Sequence, residues 1–500
     1  MVRVIDDARA ERVIEDDVRT LHAMGYEQEL KRGLGGFSNF ALSFSIICIL
    51  AGGVTSFHLG LCGAGGASIG LGWPLVSLFT LAVAATMAQL ASAFPTSGGL
   101  YHWASILGGR GWGWATAWLN LAGLITAVSA INVGAWTFLL GSIAPLLGFQ
   151  ANNDEVTQAI AVGLITASQA MLNHLGIKLT TRLTDLSGYW ILAVSLALTV
   201  AMLAFATDLD PWRLVTFTNF SGEAGGNVWP RSANLFALFA LGLFLPAYTL
   251  TGFDASAHAS EETIGAAREV PKGILRSVIV SAVAGWILLC SVVVAIPDLA
   301  EVARQGPRAF PAALELTLPR WIAASLEVGI ALAMYGCGLG AVTSASRMAF
   351  AFARDGGLPY SSKIRSVSPR FRTPSSAIWL VATVAWLFTL GAKFYETITA
   401  VCIIFLYVSY VLPTALGALS YGRSWTAMGP FALGRWFRPL AMVSTIGCFC
   451  LIAIGVLPPN DRPGRVVGAT LVLMLIAWFA IERRRFTGPP DRGEPANGGD

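Results

Sequence analysis

Residues 241–276 read LGLFLPAYTLTGFDASAHASEETIGAAREVPKGILR. The stretch begins as an apolar, membrane-spanning run, is interrupted at Thr251-Gly252, resumes on Asp254 and ends in two carboxylates and a basic segment. In hydrocarbon, each backbone N–H or C=O freed by such an interruption costs on the order of several kcal/mol unless protein, ligand or water satisfies it. A break that local structure does not require is therefore a candidate binding site.

The rest of the chain fits a polytopic, all-α membrane protein. Hydrophobic residues make up 55% of the 500 positions and charged ones only 12%, against about 25% charged in soluble domains. The apolar residues fall in blocks of about 20, the length a helix needs to cross hydrocarbon. Twelve spans are predicted, among them 38–62 as span one, 233–260 as span six, 275–297 as span seven and 321–353 as span eight. The first 36 residues form a polar tail, with an amphipathic interfacial helix over 18–34 or a solvated segment as its two readings. Residues 37–485 form one transporter domain, and 486–500, rich in Pro and Gly, read as a disordered tail. Lys and Arg concentrate in alternate loops, for example Arg268, Lys272 and Arg276, or Arg347, Arg354 and Lys363. With the run Arg483-Arg484-Arg485 after the last span, this places both termini in the cytoplasm of a cell (inner) membrane protein. The seven cysteines form no CxxC pair and sit in or beside apolar runs, which reads as packing and not as disulfides or a metal site. The small net charge of +4 is spread over short loops, so no nucleic-acid partner is expected.

Span one carries Ala51-Gly52-Gly53 in its middle, and span six carries Thr251-Gly252. Glycine interruptions at matching places in two halves point to a transporter built from repeats with its site near the midplane. Five spans separate the counterparts, so the second repeat (233–421) enters inverted relative to the first (38–206), and the spans over 438–482 lie outside the pair. A helix restarting near Val54 would aim free N–H groups and a partial positive charge at the break, which suits a carboxylate. The first half of span six, ending near Leu250, would aim free carbonyls at the same place, which suits an ammonium. Ala51, Gly52 and Gly53 put little side chain in the way, while Thr55 and Thr251 could add hydroxyls. Close helix packing is the plain alternative for these glycines.

Phe253 reads as a hydrophobic gate or as core. Asp254 reads first as the N-cap of the restarted helix, with ammonium binding or protonation as the alternatives. Four residues on, His258 is a packing residue or a proton relay. Glu261 and Glu262 stand at the inner mouth near Arg268, Lys272 and Arg276, as a gate ion pair, a proton acceptor or an ordinary helix end. A sodium site could use Thr343 and Ser344 with span-one carbonyls around Leu50 and Gly53, although such hydroxyls usually bond their own helix. The coupling ion, proton or sodium, is left open, and no cofactor is expected. Within the spans no cluster of His, Cys or carboxylates suggests an enzyme.

Three long stretches carry a family resemblance: MGYEQELKRGLGGFSNFALSFSIICILAGGVTSFHLGL from Met24, GWPLVSLFTLAVAATMAQLASAFPTSGGLYHWASIL from Gly72 and TGFDASAHASEETIGAAREVPKGI from Thr251, with a looser one, SASRMAFAFARDGGLP, from Ser344. Together they resemble the amino acid-polyamine-organocation superfamily, and within it the amino acid/choline transporter branch of GABA and choline permeases. The resemblance implies a five-plus-five inverted repeat with two extra helices, and movement of amino acids or related amines by alternating access. It also implies breaks at Ala51, Gly52 and Gly53 and at Thr251, Gly252 and Phe253. Pro95–Gly99 then resembles the family's first cytoplasmic loop. Gln89 stands before that loop where related chains often carry Glu, and an amide holds no exchangeable carboxyl proton. A choline or polyamine carrier, or a transport-like sensor, is the rival reading.

Overall fold

A computed structural model describes residues 2–146, 148, 154–222, 228–391, 395–456 and 460–490. Among these the protein is helical with no strand beyond two isolated bridges. Nine helices are long and apolar enough to cross a membrane, and Leu235–Thr249 and Ser375–Leu390 are shorter apolar ones. The remaining candidate span, Glu155–His174, is more polar because it turns Thr166, Gln169 and Asn173 into the protein. All seven cysteines are free.

Span one is built from Gly36–Ile47, Gly52–Thr55 and Phe57–Ala64, and span six from Leu235–Gly242, Phe244–Thr249 and Ala255–His258. Spans three (Arg110–Leu146) and eight (Arg320–Arg354) lie along each other. The lower part of span one packs between spans five (Ile177–Phe205), seven (Ala266–Ala295) and eight. Span ten (Tyr395–Ser420) also packs along span three.

Span seven starts nine residues before its predicted limit, at Ala266. The early turns contain Pro271, which cannot donate to the carbonyl of Ala267. That carbonyl instead accepts the hydroxyl of Ser92 on span two (Gly72–Ala93) at 2.7 Å. Asp17 accepts the N–H groups of Gly265 and Ala266 at 2.7 and 3.1 Å, capping the same end. A side chain from the N-terminal segment thus permits a helix start that span-length hydropathy misses.

The predicted interfacial helix over 18–34 is corrected. The N-terminal helix, Val2–His22, stops before Gly25, whose φ is +84°. Residues 23–35 then run as a strap across the terminal face of the protein, where Asp17 meets Gly265 and Phe486 packs against Tyr101. Its main chain pairs with the segment after span six: Gly33 and Leu34 N–H both donate to Glu262 O at 2.9 Å, and Ile264 N–H donates to Leu34 O at 2.9 Å. Gln28 Nε2 donates to Glu261 O at 2.9 Å, and Arg32 to Thr263 O at 2.6 Å. Carbonyls left unpaired by the short second half of span six attract this segment, and an independent helix would leave them unsatisfied. The predicted tail from 486 lies outside the described residues over 491–500. Phe486 itself is fully buried, its ring 6.3 Å from Tyr101 and 5.8 Å from Phe352.

The strap is fastened where Tyr26 and Tyr101 both donate to Asp355 Oδ2, at 2.7 and 2.6 Å. Burial lifts the Asp355 carboxyl to about 6, against the lowering effect of Arg354 and of the two tyrosine hydrogen bonds. A raised carboxyl pKa gives stability that is complete below the unfolded value of 3.8 and lost as pH rises through about 6. Asp355→Asn abolishes this titration. Its melting temperature relative to the parent is expected to be more favourable at pH of about 7.5 than at about 4.5. Equal differences at the two pH values in a thermal-shift measurement would contradict this.

Candidate functional site

The break in span six runs from Leu250 to Asp254. Gly252 has φ +93°, and a Cβ there would lie 2.4 Å from Cγ2 of Ile46, so both backbone and space demand glycine. Its N–H donates to the hydroxyl of Tyr410 on span ten at 3.1 Å, and that hydroxyl donates to Asp254 Oδ1 at 2.9 Å. Phe253 is fully buried with its ring 4.8 Å from Tyr410. Thr251 Oγ1 donates to Tyr248 O at 2.7 Å, inside its own turn. Among the described residues the carbonyls of Thr249, Leu250 and Thr251 receive no hydrogen bond.

Asp254 stands at the cap position, but its side chain does not cap, which corrects the first reading of this residue. The carboxylate reaches spans three and ten and, on its own helix, the ring of His258. Oδ2 accepts from Asn120 Nδ2 at 3.0 Å and lies 3.2 Å from His258 Nε2. It is completely buried, and no Lys or Arg bonds it among the described residues. His258 Nδ1 lies 3.1 Å from the carbonyl of Ser97, which can only accept. If Nδ1 donates to that carbonyl, a neutral ring has no proton on Nε2. The contact to Asp254 requires one further proton, on the carboxyl or on Nε2. A proton shared by the two residues would make that contact a hydrogen bond.

Span one unwinds earlier than predicted, over Cys48–Ala51, and its helix resumes at Gly52 instead of Val54. Ala51 and Gly52 N–H turn back onto Cys48 O at 2.8 and 3.0 Å, and Thr55 and Ser56 N–H bond Ala51 O and Gly52 O at 3.0 Å. Gly53 and Val54 N–H have no main-chain acceptor among the described residues. A Cβ on Gly52 would meet Thr249 Cα at 2.7 Å, so the two breaks touch here. Gly53 is roomier, with nothing nearer to its Cβ position than Leu289 at 3.6 Å. Thr55 Oγ1 donates to Ala51 O at 2.7 Å. Ala51 (6%), Tyr248 and Thr251 (7% each) keep slight exposure where Leu50, Leu250 and Phe253 have none.

Below the breaks, the two lower half-helices are stitched together. Ser43 Oγ donates to Phe253 O at 2.9 Å and contacts Ser256 Oγ at 2.7 Å, while Asn39 Nδ2 reaches Ser256 O and Thr263 Oγ1 at 3.0 and 2.9 Å. Further down, Glu261 and Glu262 are fully buried. Their partners are not Arg268, Lys272 or Arg276 but two arginines seven residues apart on span eight. Arg354 holds Glu261 through two bonds of 2.9 Å, and Arg347 holds Glu262 through bonds of 2.8 and 3.1 Å. Burial disfavours the Glu261 charge, but Arg354, the Ser97 N–H and Arg32 together hold its carboxyl below the usual range.

Thr343 does not face span one: its hydroxyl donates to Asn173 Oδ1 at 2.7 Å and to Leu339 O at 2.9 Å. Ser344 Oγ is buried with no hydrogen-bond partner among the described residues. Against the lower end of the span-one break, span eight presents Cys337, whose Sγ is 3.3 Å from Ile46 O, and Gly340, whose Cβ would meet Ile46. Neither supplies the hard oxygen a sodium ion takes. Gln89 is structural, accepting Leu433 N–H at 2.7 Å and reaching Met428 Sδ at 3.4 Å. Tyr410, Asn120, Asn39 and Arg347 were not singled out as site residues from sequence. For Arg347 a signal existed, since Arg347 and Arg354 share one helix face and match two adjacent glutamates.

Residues 34–481 match the family model described as amino acid permease. The amino-acid permease BAT1 of Arabidopsis thaliana is 32% identical over 94% of this chain and 95% of its own length. The GABA-specific permease of Saccharomyces cerevisiae is 28% identical over 98% of this chain and 87% of its own length. A putative polyamine transporter of Candida albicans is 26% identical over 95% of this chain and 90% of its own length. With nearly the whole membrane region matched, both breaks included, this chain belongs to the amino acid permease family.

Proposed function

We propose that the protein carries an amino acid or a related amine across the cell membrane by alternating access, without covalent chemistry, with both termini cytoplasmic. The two inverted repeats span 38–206 and 233–421, and the helices over 438–482 stand outside them. The observation that carries the reading is the meeting of the two breaks at Gly52 and Thr249. On one side lie the unpaired N–H groups of Gly53 and Val54, and on the other the unpaired carbonyls of Thr249, Leu250 and Thr251. A substrate carboxylate takes the first set and its ammonium the second. Ala51, Gly52, Thr55, Thr251, Gly252, Phe253 and Asp254 complete the wall. A choline-like cation leaves the span-one N–H groups without an acceptor, so the arrangement favours a zwitterion. Uptake into proteoliposomes, challenged with neutral amino acids, GABA, polyamines and choline, tests the substrate class.

The gate on the terminal face consists of Glu262–Arg347 and Glu261–Arg354, which join span six to span eight and must part when the site opens inward. The coupling ion is the proton shared by Asp254 and His258. Sodium coupling through Thr343 and Ser344 finds less support, because Thr343 is committed to Asn173.

Two outcomes follow from the crowded and the roomy glycine. Gly252→Ala is expected to lower stability by about 2 kcal/mol or more, from the left-handed backbone and the contact with Ile46. Gly53→Leu is expected to reach the membrane at the parent level yet abolish uptake. Parent-like uptake by Gly53→Leu would remove the central site from this position.

Asp254→Asn keeps acceptors for Tyr410 and cannot carry a proton. Accumulation driven by an inward proton gradient is expected to fall to background, while substrate exchange at equal pH persists. Gradient-driven accumulation by this variant would show that the proton is carried elsewhere.

A further inference from the structure

Arg347 is fully buried, and a buried guanidinium is tolerable only where its N–H groups are satisfied on every edge. One edge, Nε and Nη2, is taken by Glu262. The remaining nitrogen, Nη1, faces Asn173 Oδ1 at 3.4 Å and Ser346 Oγ at 3.2 Å. Asn173 sits on Glu155–His174 and is fully buried. Its amide orientation is determined by its surroundings: Nδ2 donates to Gln169 O and to Leu339 O, each at 3.1 Å, and Oδ1 also accepts Thr343 Oγ1 at 2.7 Å. One turn away, Gln169 and Asn132 of span three exchange two amide hydrogen bonds of 2.8 and 2.9 Å. They do so against Gly338, where a Cβ would lie 2.3 Å from Gln169 Nε2. Span three, Glu155–His174 and span eight are thereby locked to one another by neutral amides, and Arg347 is attached to that block.

We propose that Asn173 is the positioning residue of the inner gate. It holds Arg347 on the fixed block, so that Glu262 is the partner that leaves. Without it, Arg347 would follow Glu262 or lose its geometry, and the gate would not reclose on the same pair. With it, the guanidinium keeps two neutral acceptors in the open state and is not left as an isolated buried charge. This inference rests on the gate reading above, and the two can fail separately.

The test is hydrogen–deuterium exchange of the full-length protein in lipid nanodiscs, read on peptides covering 255–265. Peptides covering 299–317, on the opposite face, serve as reference. Glu262→Gln is expected to speed exchange over 255–265 by about tenfold, the size of one charge-assisted hydrogen bond. Asn173→Ala is expected to speed it by about three- to tenfold, with the reference peptides unchanged. The double variant is expected to exceed the larger single effect by no more than about twofold, because both changes act on the same contact. No change with Glu262→Gln would overturn the gate itself. A response to Glu262→Gln with none to Asn173→Ala, or with fully multiplicative effects, would leave the gate standing and overturn the role given to Asn173. If Asn173→Ala does not reach the membrane, Asn173→Asp decides the matter. The nearly isosteric carboxylate draws Arg347 from Glu262 and raises exchange over 255–265, whereas a residue that only packs helices leaves it unchanged.

Discussion

The constraint on which the structure turns is the cost of stopping a helix inside a membrane. Over 250–254 several main-chain groups lose their helical partners, and each must find another or face a ligand. Gly252 N–H is taken by Tyr410, Phe253 O by Ser43, and Asp254 O by the N–H groups of Ala257 and His258. What remains is a short run of carbonyls, all aimed from the same half-helix end. The break is thus held open by side chains from spans one and ten, and the unpaired groups are confined to the side on which span one presents its own unpaired N–H groups.

The same satisfying contacts divide the molecule mechanically. Ser43 and Asn39 stitch the lower half of span one to the segment 253–258, so those two pieces are joined by neutral hydrogen bonds. Toward span eight the contacts are of another kind, two buried arginine–glutamate pairs. Removing one partner of such a pair costs on the order of 3–5 kcal/mol while the other stays buried. Tight inside and replaceable by water outside, they suit a seam that opens. The strap over 23–35 crosses this seam, hydrogen-bonded to 260–264 and tied at Tyr26 to Asp355, so the segment 23–35 is held against the protein and is not a free tail.

How much of this could be read from sequence depends on whether the deciding partner is local. Thr251-Gly252 is visible because a left-handed backbone needs glycine and the following residues restart a helix. The span-one break is visible only in part: its glycines mark the restart, whereas Cys48 to Leu50, where the helix stops, look like ordinary apolar span. Capping is a local rule and marks Asp254 as a cap, but its carboxylate is claimed by Asn120 and Tyr410, each more than a hundred residues away. Proximity along the chain points Glu261 and Glu262 to Arg268 and Lys272, while span eight brings Arg347 and Arg354 to them across the fold. The long resemblance through Met24–Leu61 was sound for the family yet silent on the strap, whose pairing partners lie beyond span six.

The buried Asp254–His258 pair links these parts on the proposed reading. With its shared proton the pair is net neutral, and its contacts to Asn120, Tyr410 and Ser97 are all to neutral groups. Remove the proton, and a full negative charge stays at the break with no cation beside it, a state that low-dielectric surroundings penalise and water relieves. His258 reaches the Ser97 carbonyl, and the Ser97 N–H reaches Glu261, so the proton site and the gate carboxylate share one turn of chain. Loss of the proton toward the terminal face therefore favours hydration at the place where Glu261 and Glu262 must separate from span eight. On the proposed reading, substrate release and proton release become the same opening, without any contact running the full distance between them.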